Sequence, residues 1–320
     1  MSGLSLNLRA ESIADTLADD PEAFGCAVTT LANGARVIDA GVEAPGGWEA
    51  GLALGEICMG GLGSVTYVPL TIGEHAYMGV AVSTDHPHVS CMASQYAGWA
   101  ITPEGYFGMG SGPLRAHARV EKELFALLGY AEEAEHGVLV LETRQLPDAR
   151  VAEWVAARAR LDPAQLTFVV APTASTAGAV QISARILETG LHKLEQLHFD
   201  IRKVVNAIGT APVGPVAKND LRGIGRTNDC ILYGGQARYL VKGVDDDALR
   251  QAAEQLPASA SRDYGRPFYE IFEAAGKDFY KIDPLLFSPA EVWLTSADTG
   301  KTFHGGRLDA AILAASCYPA

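Results

Sequence analysis

The hydrophobic pattern of the chain alternates between short apolar runs and amphipathic stretches. Runs rich in Val, Ile, Leu and Tyr predict strands, whereas apolar positions that recur every three or four residues predict helices. The strands are expected at 26–31, 36–40, 64–69, 77–83, 137–141, 166–171 and 229–241. The helices are expected at 5–19, 48–59, 89–96, 113–128, 148–160, 176–197 and 245–255. The sequence therefore predicts a mixed fold of the α/β (α+β) class.

Two segments read as hairpins. Asn33 and Gly34 separate the first two apolar runs, and Asn-Gly in this setting is a strong hairpin signal. Near the other end, residues 297–300 separate two further strand-like runs. Because hairpins lie near both ends and the middle alternates strand and helix, we expect residues 1–100 and about 265–320 to form one lobe and 101–264 the other.

Length, charge and cysteine content narrow the class of protein. A chain of 320 residues exceeds the usual single-core size, which favours two lobes with a ligand site between them. Lys plus Arg number 25 against 38 Asp plus Glu, so the formal charge of -13 argues against a nucleic-acid surface. The five cysteines are dispersed and form no C-x-x-C pair. Since the amino-terminal residues do not resemble a signal peptide and no long apolar stretch occurs, we expect a cytoplasmic protein without membrane insertion.

Three glycine-rich loops, at 59–64, 108–113 and 233–235, could approach a ligand closely, although none matches a dinucleotide or P-loop motif. In the second loop Ser111 and Gly112 precede Pro113, which is expected at the first helical position. The backbone N–H groups there could hold an anion, with Arg115 in the first turn. An ordinary capped strand-to-helix turn explains the same pattern equally well.

Asp85, His86 and His88 place two imidazoles and a carboxylate within four residues, which suggests a metal site. Pro87 breaks the strand that would align them, however, and no further ligand is evident. We expect no metal, and we expect Asp85 to be the N-cap of the helix at 89–96.

The most specific segment begins at Pro172 and continues through a cluster of small hydroxyl residues into a helix. On that helix Arg185 and Glu188 are three positions apart and share a face, and His192 lies one turn further on. A surface ion pair would produce the same spacing. A cleft at the amino-terminal end of the helix would instead make the pair a candidate site.

Residues 181–193 also resemble the signature of the methenyltetrahydromethanopterin cyclohydrolases. Further blocks resemble the family in the same order, so the resemblance covers essentially the whole chain; they are 49–51, 56–63, 84–87, 97–99, 110–113 and 227–235. Ala184 stands where a glycine is expected in relatives. The resemblance implies a two-lobed subunit with a deep pocket between the lobes, assembled as a homotrimer.

The resemblance also implies the chemistry. The cyclic methenyl cation of a tetrahydromethanopterin-type carrier, with a full or shortened tail, would be hydrolysed reversibly to the N5-formyl form without a metal or redox cofactor. The family's catalytic pair maps onto Arg185 and Glu188. Glu188 would accept and return the proton, and Arg185 would orient it and favour its ionised form.

Several residues are further candidates. Glu56 and Asp229 could bind the amino and amide groups of the pterin, and Ser111, Gly112 and Arg115 could bind its anionic tail. His192 could relay protons or simply pack. A non-catalytic pterin carrier is an alternative function, and a phosphate- or nucleotide-binding enzyme that uses the glycine loops is another.

Overall fold

The computed structural model describes residues 4–318. Its strands are β1 (Ala27–Thr30), β2 (Arg36–Asp39), β3 (Gly63–Ile72), β4 (His75–Thr84), β5 (Trp99–Ile101), β6 (Gly108–Ser111), β7 (Gly137–Glu142), β8 (Leu166–Val170), β9 (Val204–Pro212), β10 (Gln236–Val241), β11 (Glu291–Ser296) and β12 (Thr302–Gly306).

The α-helices are α1 (Leu6–Asp19), α2 (Trp48–Cys58), α3 (Leu114–Ala118), α4 (Lys122–Leu128), α5 (Ala149–Ala159), α6 (Thr176–Ser183), α7 (Ile186–Gln196), α8 (Asp220–Gly234), α9 (Asp246–Gln255), α10 (Phe268–Ala274) and α11 (Ala310–Cys317). A π-helix spans His88–Gln95, where the sequence predicts a helix at 89–96. Within the described chain, no helix combines the length and the apolar character needed to cross a membrane.

The contacts divide the chain into two units. Unit 1 contains the chain up to Gly63 together with Val89–Gln181, and unit 2 contains Ser64–His88 and the chain from Ile182 onward. This division differs from the expected one, in which both ends of the chain share a lobe. The reason lies in strand pairing, because β4 pairs with β9 and so brings an early segment into the carboxy-terminal unit.

Unit 1 is built on a six-stranded sheet in the order β1-β2-β8-β7-β6-β5. Its central strands β2, β8 and β7 are parallel, and β8 is buried along its whole length. Strands that are covered on both faces consist of continuous apolar residues, which is why the strands at 137–141 and 166–171 could be predicted from the sequence. Side chains of α5 pack in the core on one face, and those of α1 and α2 pack in the core on the other.

Unit 2 is built on a second six-stranded sheet, in the order β12-β11-β10-β9-β4-β3. It is mixed, because β10 and β11 are parallel while β9 pairs with β4 and with β10 in antiparallel fashion. The helix α7 packs on β9 and β10, and α9 packs on β11 and β12. The hairpin of β11 and β12 and that of β1 and β2 confirm both hairpin predictions.

Three predicted elements differ from the structure. The strand predicted at 229–241 is wrong for its first six residues, which form the end of α8. The run Ile231–Tyr233 is apolar because this part of the helix is buried, and the apolar run resembles a strand in the sequence. The helix at 113–128 is interrupted at Arg119, which adopts a left-handed backbone with φ of 53°. The helix at 176–197 is interrupted at residues 184–185, between α6 and α7.

Candidate functional site

The interruption between α6 and α7 sets the position of the two residues singled out by sequence. Arg185 is the residue immediately before α7, and its backbone N–H donates to the carbonyl of Ile182 at 3.0 Å. Glu188 lies in the first turn of α7. Since the amino-terminal end of a helix stabilises negative charge, the local structure favours a carboxylate at this position.

Both charged side chains are buried, with 7% of Arg185 and 5% of Glu188 exposed. Burial of a charge is unfavourable unless opposite charge or hydrogen bonds compensate it. A surface ion pair, the alternative explanation of the spacing, is therefore excluded by the burial of both residues. His192 lies on the same helix and is half-buried.

The first turn of α7 is anchored to the sheet of unit 2 by Tyr239. The hydroxyl of this buried β10 residue donates to the carbonyl of Leu187 at 3.0 Å. Gly190 permits the contact, since a Cβ atom there would lie 2.0 Å from the Tyr239 hydroxyl oxygen. Leu187, the residue before Glu188, is thereby held by a buried side chain of β10.

Two further hydrogen bonds secure the segment on either side of that turn. The hydroxyl of Ser183, at the end of α6, donates to the carbonyl of Pro212 at 2.8 Å. The buried ammonium of Lys193 donates to the carbonyl of Pro257 at 2.7 Å, and burial lowers the pKa of Lys193 to about 8. The backbone that carries Arg185 and Glu188 is therefore supported at both ends.

Sequence reasoning missed Tyr239 and Ser183. For Tyr239 the available signal was Gly190. A glycine inside a helix destabilises it by about 1 kcal/mol relative to alanine, so it often marks a place where another part of the chain approaches the helix closely. The sequence alone does not show which residue approaches, since Tyr239 is 49 positions away.

The third glycine loop, at 233–235, has a packing role in unit 2. A Cβ atom on Gly235 would lie 2.4 Å from the Cδ1 atom of Ile186, at the start of α7. A Cβ atom on Gly234 would lie 2.7 Å from the ring of Pro212. These glycines let α7 and α8 approach their neighbours.

In unit 1 the structure brings Ser111 and Gly112 close to the carboxyl end of α2, the helix that carries the half-buried Glu56. The Ser111 hydroxyl lies 3.5 Å from the thiol of Cys58. Ser94 connects both elements, since its hydroxyl donates to the carbonyl of Cys58 and its own carbonyl accepts from the Gly112 N–H at 2.8 Å.

The proposed anion-binding turn differs from expectation in two respects. The N–H of Gly112 already donates to Ser94, and Pro113 is the residue before α3 rather than its first helical residue. Gly112 has a φ of 100°, so the turn itself requires glycine. These contacts favour an ordinary strand-to-helix turn over the anion site, although no side chain caps α3 there.

Arg115 has a structural role inside unit 1. Its fully buried guanidinium donates to Glu121 at 2.6 and 2.8 Å and to the carbonyls of Met92 and Ser94 at 3.2 and 3.1 Å. It also lies over the ring of Tyr96. The side chain thus holds the end of the π-helix in place, and this engagement argues against a role in binding the carrier's tail.

Asp229 likewise serves the fold of unit 2 rather than an open site. Its Oδ1 atom accepts from the backbone N–H of Phe268 at 2.8 Å, at the amino-terminal end of α10. The residue is buried, and desolvation raises the pKa of its carboxyl to about 7. The contact with α10 gives Asp229 a structural role, and its role as a pterin ligand stays a prediction.

The segment with Asp85 and the two histidines shows no metal-binding arrangement. Asp85 accepts from the side-chain amide of Asn206 on β9 at 2.5 Å. It lies three residues before the π-helix, which begins at His88, so it is not at the N-cap position expected from the sequence. Burial lowers the pKa of His88. Among the residues that the structure describes, no group of three or more His, Cys, Asp or Glu side chains could hold a metal ion.

Comparisons with known proteins agree with the resemblance of the signature segment. The model of the family described as Cyclohydrolase (MCH) matches residues 5–317. The methenyltetrahydromethanopterin cyclohydrolase of Methylobacillus flagellatus is 48% identical over 309 residues, which cover 97% of this chain and 94% of the relative. Those of Methanococcoides burtonii and Methanocaldococcus jannaschii are each 41% identical, over 97% of both chains. The chain therefore belongs to the cyclohydrolase (MCH) family.

Proposed function

We propose that this protein is a methenyltetrahydromethanopterin cyclohydrolase. It would add water to the 5,10-methenyl cation of a tetrahydromethanopterin-type carrier and release the N5-formyl form, and it would catalyse the reverse closure. The observation that carries the proposal is the buried Arg185 and Glu188 at the start of α7, within a chain that matches the family from residue 5 to 317.

The reaction needs one group that handles protons. The methenyl carbon lies between two nitrogens and shares a positive charge, so water attacks it readily once a proton can leave. Glu188 accepts that proton as the carbon–oxygen bond forms. It then returns the proton to the departing nitrogen as the carbon–nitrogen bond breaks. The second water proton leaves to solvent as the formyl carbonyl forms, which balances the loss of the cation's charge.

Arg185 assists the same carboxyl group. A guanidinium beside a carboxylate favours its ionised form, which is the form that accepts the first proton. The first turn of α7 acts in the same direction, because its backbone N–H groups favour negative charge. The negative charge of Glu188 would in turn stabilise the cationic substrate. The proposal gives the protein itself no metal or redox cofactor, and the pterin carrier is the substrate.

The exchange Glu188→Gln tests the assignment. It keeps the size and polarity of the side chain but removes the proton acceptor, so we expect kcat to fall by at least about 100-fold while binding of the methenyl carrier remains measurable. Turnover is followed by loss of the methenyl absorbance, and binding by titration of the carrier under conditions of slow turnover.

Glu195→Gln provides the matched control, since Glu195 lies on the same helix two turns further on. Its turnover should equal that of the unmodified protein. Near-normal turnover in Glu188→Gln would contradict the assigned role of Glu188, whereas retained binding without turnover in the unmodified protein would favour the non-catalytic carrier.

A further inference from the structure

The two cysteines Cys230 and Cys317 lie against each other inside unit 2. Cys230 is in the last part of α8 and Cys317 is the last residue of α11. Their Sγ atoms are 3.8 Å apart, and both thiols are free. A disulfide requires about 2.05 Å between the sulfurs, which a small rotation of two side chains on packed helices can supply. We infer that Cys230 and Cys317 form a site of reversible oxidation, at which a peroxide converts the thiol pair to a disulfide.

The surroundings of the pair hold Cys317 in position. The next residue, Tyr318, donates its hydroxyl to the carbonyl of Ala76 on β4 at 2.6 Å. The ring of Tyr318 lies 5.4 Å from that of Tyr77, whose buried hydroxyl has no hydrogen-bond partner among the described residues. The end of α11 is therefore fixed beside α8 while the protein is reduced, so the two sulfurs are already aligned.

The order of reaction follows from exposure. Cys230 is fully buried, and the adjacent Cys317 and the burial hold the pKa of its thiol well above the ordinary value. Cys317 is 5% exposed, so of the two sulfurs it is the one that a reagent from solvent can reach. Cys317 is thus the sulfur that meets the peroxide first.

Oxidation of the pair takes place in two steps, and Cys317 reacts first. The Cys317 thiolate attacks one peroxide oxygen, the oxygen–oxygen bond breaks, and a sulfenic acid and one water result. The Cys230 thiol then attacks the oxidised sulfur and gives its proton to the departing hydroxyl group, so the sulfur–oxygen bond breaks, the sulfur–sulfur bond forms and a second water leaves. The two thiols lose two protons and two electrons, and one peroxide is reduced to two waters. A dithiol reagent reverses the product by thiol–disulfide exchange.

The linkage would connect positions that are 87 residues apart. Cross-links across long loops restrict the unfolded chain most strongly, so the oxidised protein should unfold at a higher temperature, by roughly 5 °C or more. Resistance of the carboxy-terminal helix to proteolysis should rise in parallel.

The test treats the full-length reduced protein with hydrogen peroxide, blocks the remaining thiols under denaturing conditions and digests the product with trypsin. Cleavage after Arg226, Arg238 and Arg307 yields peptides 227–238 and 308–320, each with one cysteine. The expected result is these two peptides joined by a disulfide, separable by dithiothreitol, together with the rise in Tm. Cys317→Ser should lose both signals, and Cys91→Ser, which alters a buried cysteine of unit 1, should keep them.

Three results would overturn the inference. They are recovery of both peptides with blocked thiols, oxidation of either cysteine to sulfinic acid without a linkage, and a disulfide to any other cysteine. The linked peptides are sought in the unmodified protein, so the test does not depend on the folding of a variant. Its outcome is also independent of the proposed cyclohydrolase activity.

Discussion

Two buried carboxyl groups of unit 2, those of Glu188 and Asp229, have different surroundings. Glu188 lies in the first turn of α7, three positions after Arg185, at the amino-terminal end of the helix, where the sequence predicted the reaction. Asp229 was expected to bind the pterin, but its Oδ1 atom accepts from the N–H of Phe268 at the start of α10. The sequence identified both acids as candidates, and the fold shows that one lies at the start of α7 while the other contacts the start of α10.

The raised pKa of Asp229 makes a prediction about stability. The pKa of this carboxyl rises from its ordinary 3.8 to about 7 on folding, so the folded state keeps a proton that the unfolded state releases between those values. The contribution of Asp229 to the free energy of unfolding therefore falls as pH rises from about 4 to 7 and stays low above pH 7.

We expect Asp229→Asn, which keeps the acceptor for Phe268, to be more stable than the unmodified protein at pH 8, by on the order of 2 kcal/mol. The gain should shrink as the pH is lowered toward 4. Thermal unfolding across this range measures both. The exposed Asp247→Asn exchange serves as control, and a gain of equal size at pH 8 and pH 4.5 would disprove the explanation.

The role of a single residue could be predicted from the sequence only where the groups that it contacts lie nearby in the chain. Arg185 and Glu188 belong to one short segment, so their shared position could be seen in the sequence. The engagement of Arg115 could not be predicted, because two of its acceptors are carbonyls of the π-helix, which lie more than 20 positions earlier in the chain. In the sequence, an arginine whose hydrogen-bond acceptors are distant backbone carbonyls cannot be distinguished from an arginine that binds an anion.

At the scale of elements, the break between α6 and α7 is the feature that matters most. A continuous helix over 176–197 was predicted, since no proline or glycine lies at 184–185 to mark an end. The structure instead starts a new helix after Arg185, which places Glu188 in a first turn rather than in mid-helix. Hairpins with clear turn residues were predicted correctly, whereas a break that depends on tertiary anchoring was not.

The anchoring of α7 by Tyr239 leads to a prediction. Removing the hydroxyl in Tyr239→Phe leaves the carbonyl of Leu187 without this donor, so we expect stability to fall by about 1 kcal/mol. If the bond also holds Glu188 in position, kcat should fall by about 10-fold with little change in KM.

Tyr233→Phe is the matched control, because Tyr233 is another buried tyrosine of unit 2 whose hydroxyl donates to a backbone carbonyl, that of Arg266 at 2.6 Å. It should lose similar stability but keep kcat. Equal losses of kcat in the two variants would show that Tyr239 supports the fold alone.

At the scale of the whole molecule, the sequence predicted two lobes but placed their boundaries elsewhere. The early strands β3 and β4 join the sheet of unit 2, and such a pairing between remote segments leaves no mark in local composition. The mixed fold class itself was confirmed, because strand and helix periodicities are local properties.

We propose that the protein acts as a homotrimer, as the family resemblance suggested. An uncovered apolar side chain on the sheet of unit 2 is compatible with association, since Ile208 on β9 is 52% exposed. Sedimentation at working concentration should give three times the 33.8 kDa mass of one chain. A monomer would contradict this proposal and leave the chemistry untouched.

The proposed reaction can be followed directly in solution. Purified protein is mixed with methenyltetrahydromethanopterin, and loss of the methenyl absorbance is followed against a sample without protein, with methenyltetrahydrofolate run alongside. We predict rapid loss with the methanopterin carrier only. Loss with the folate alone would keep the chemistry but change the carrier, and no loss with either would contradict the proposed function.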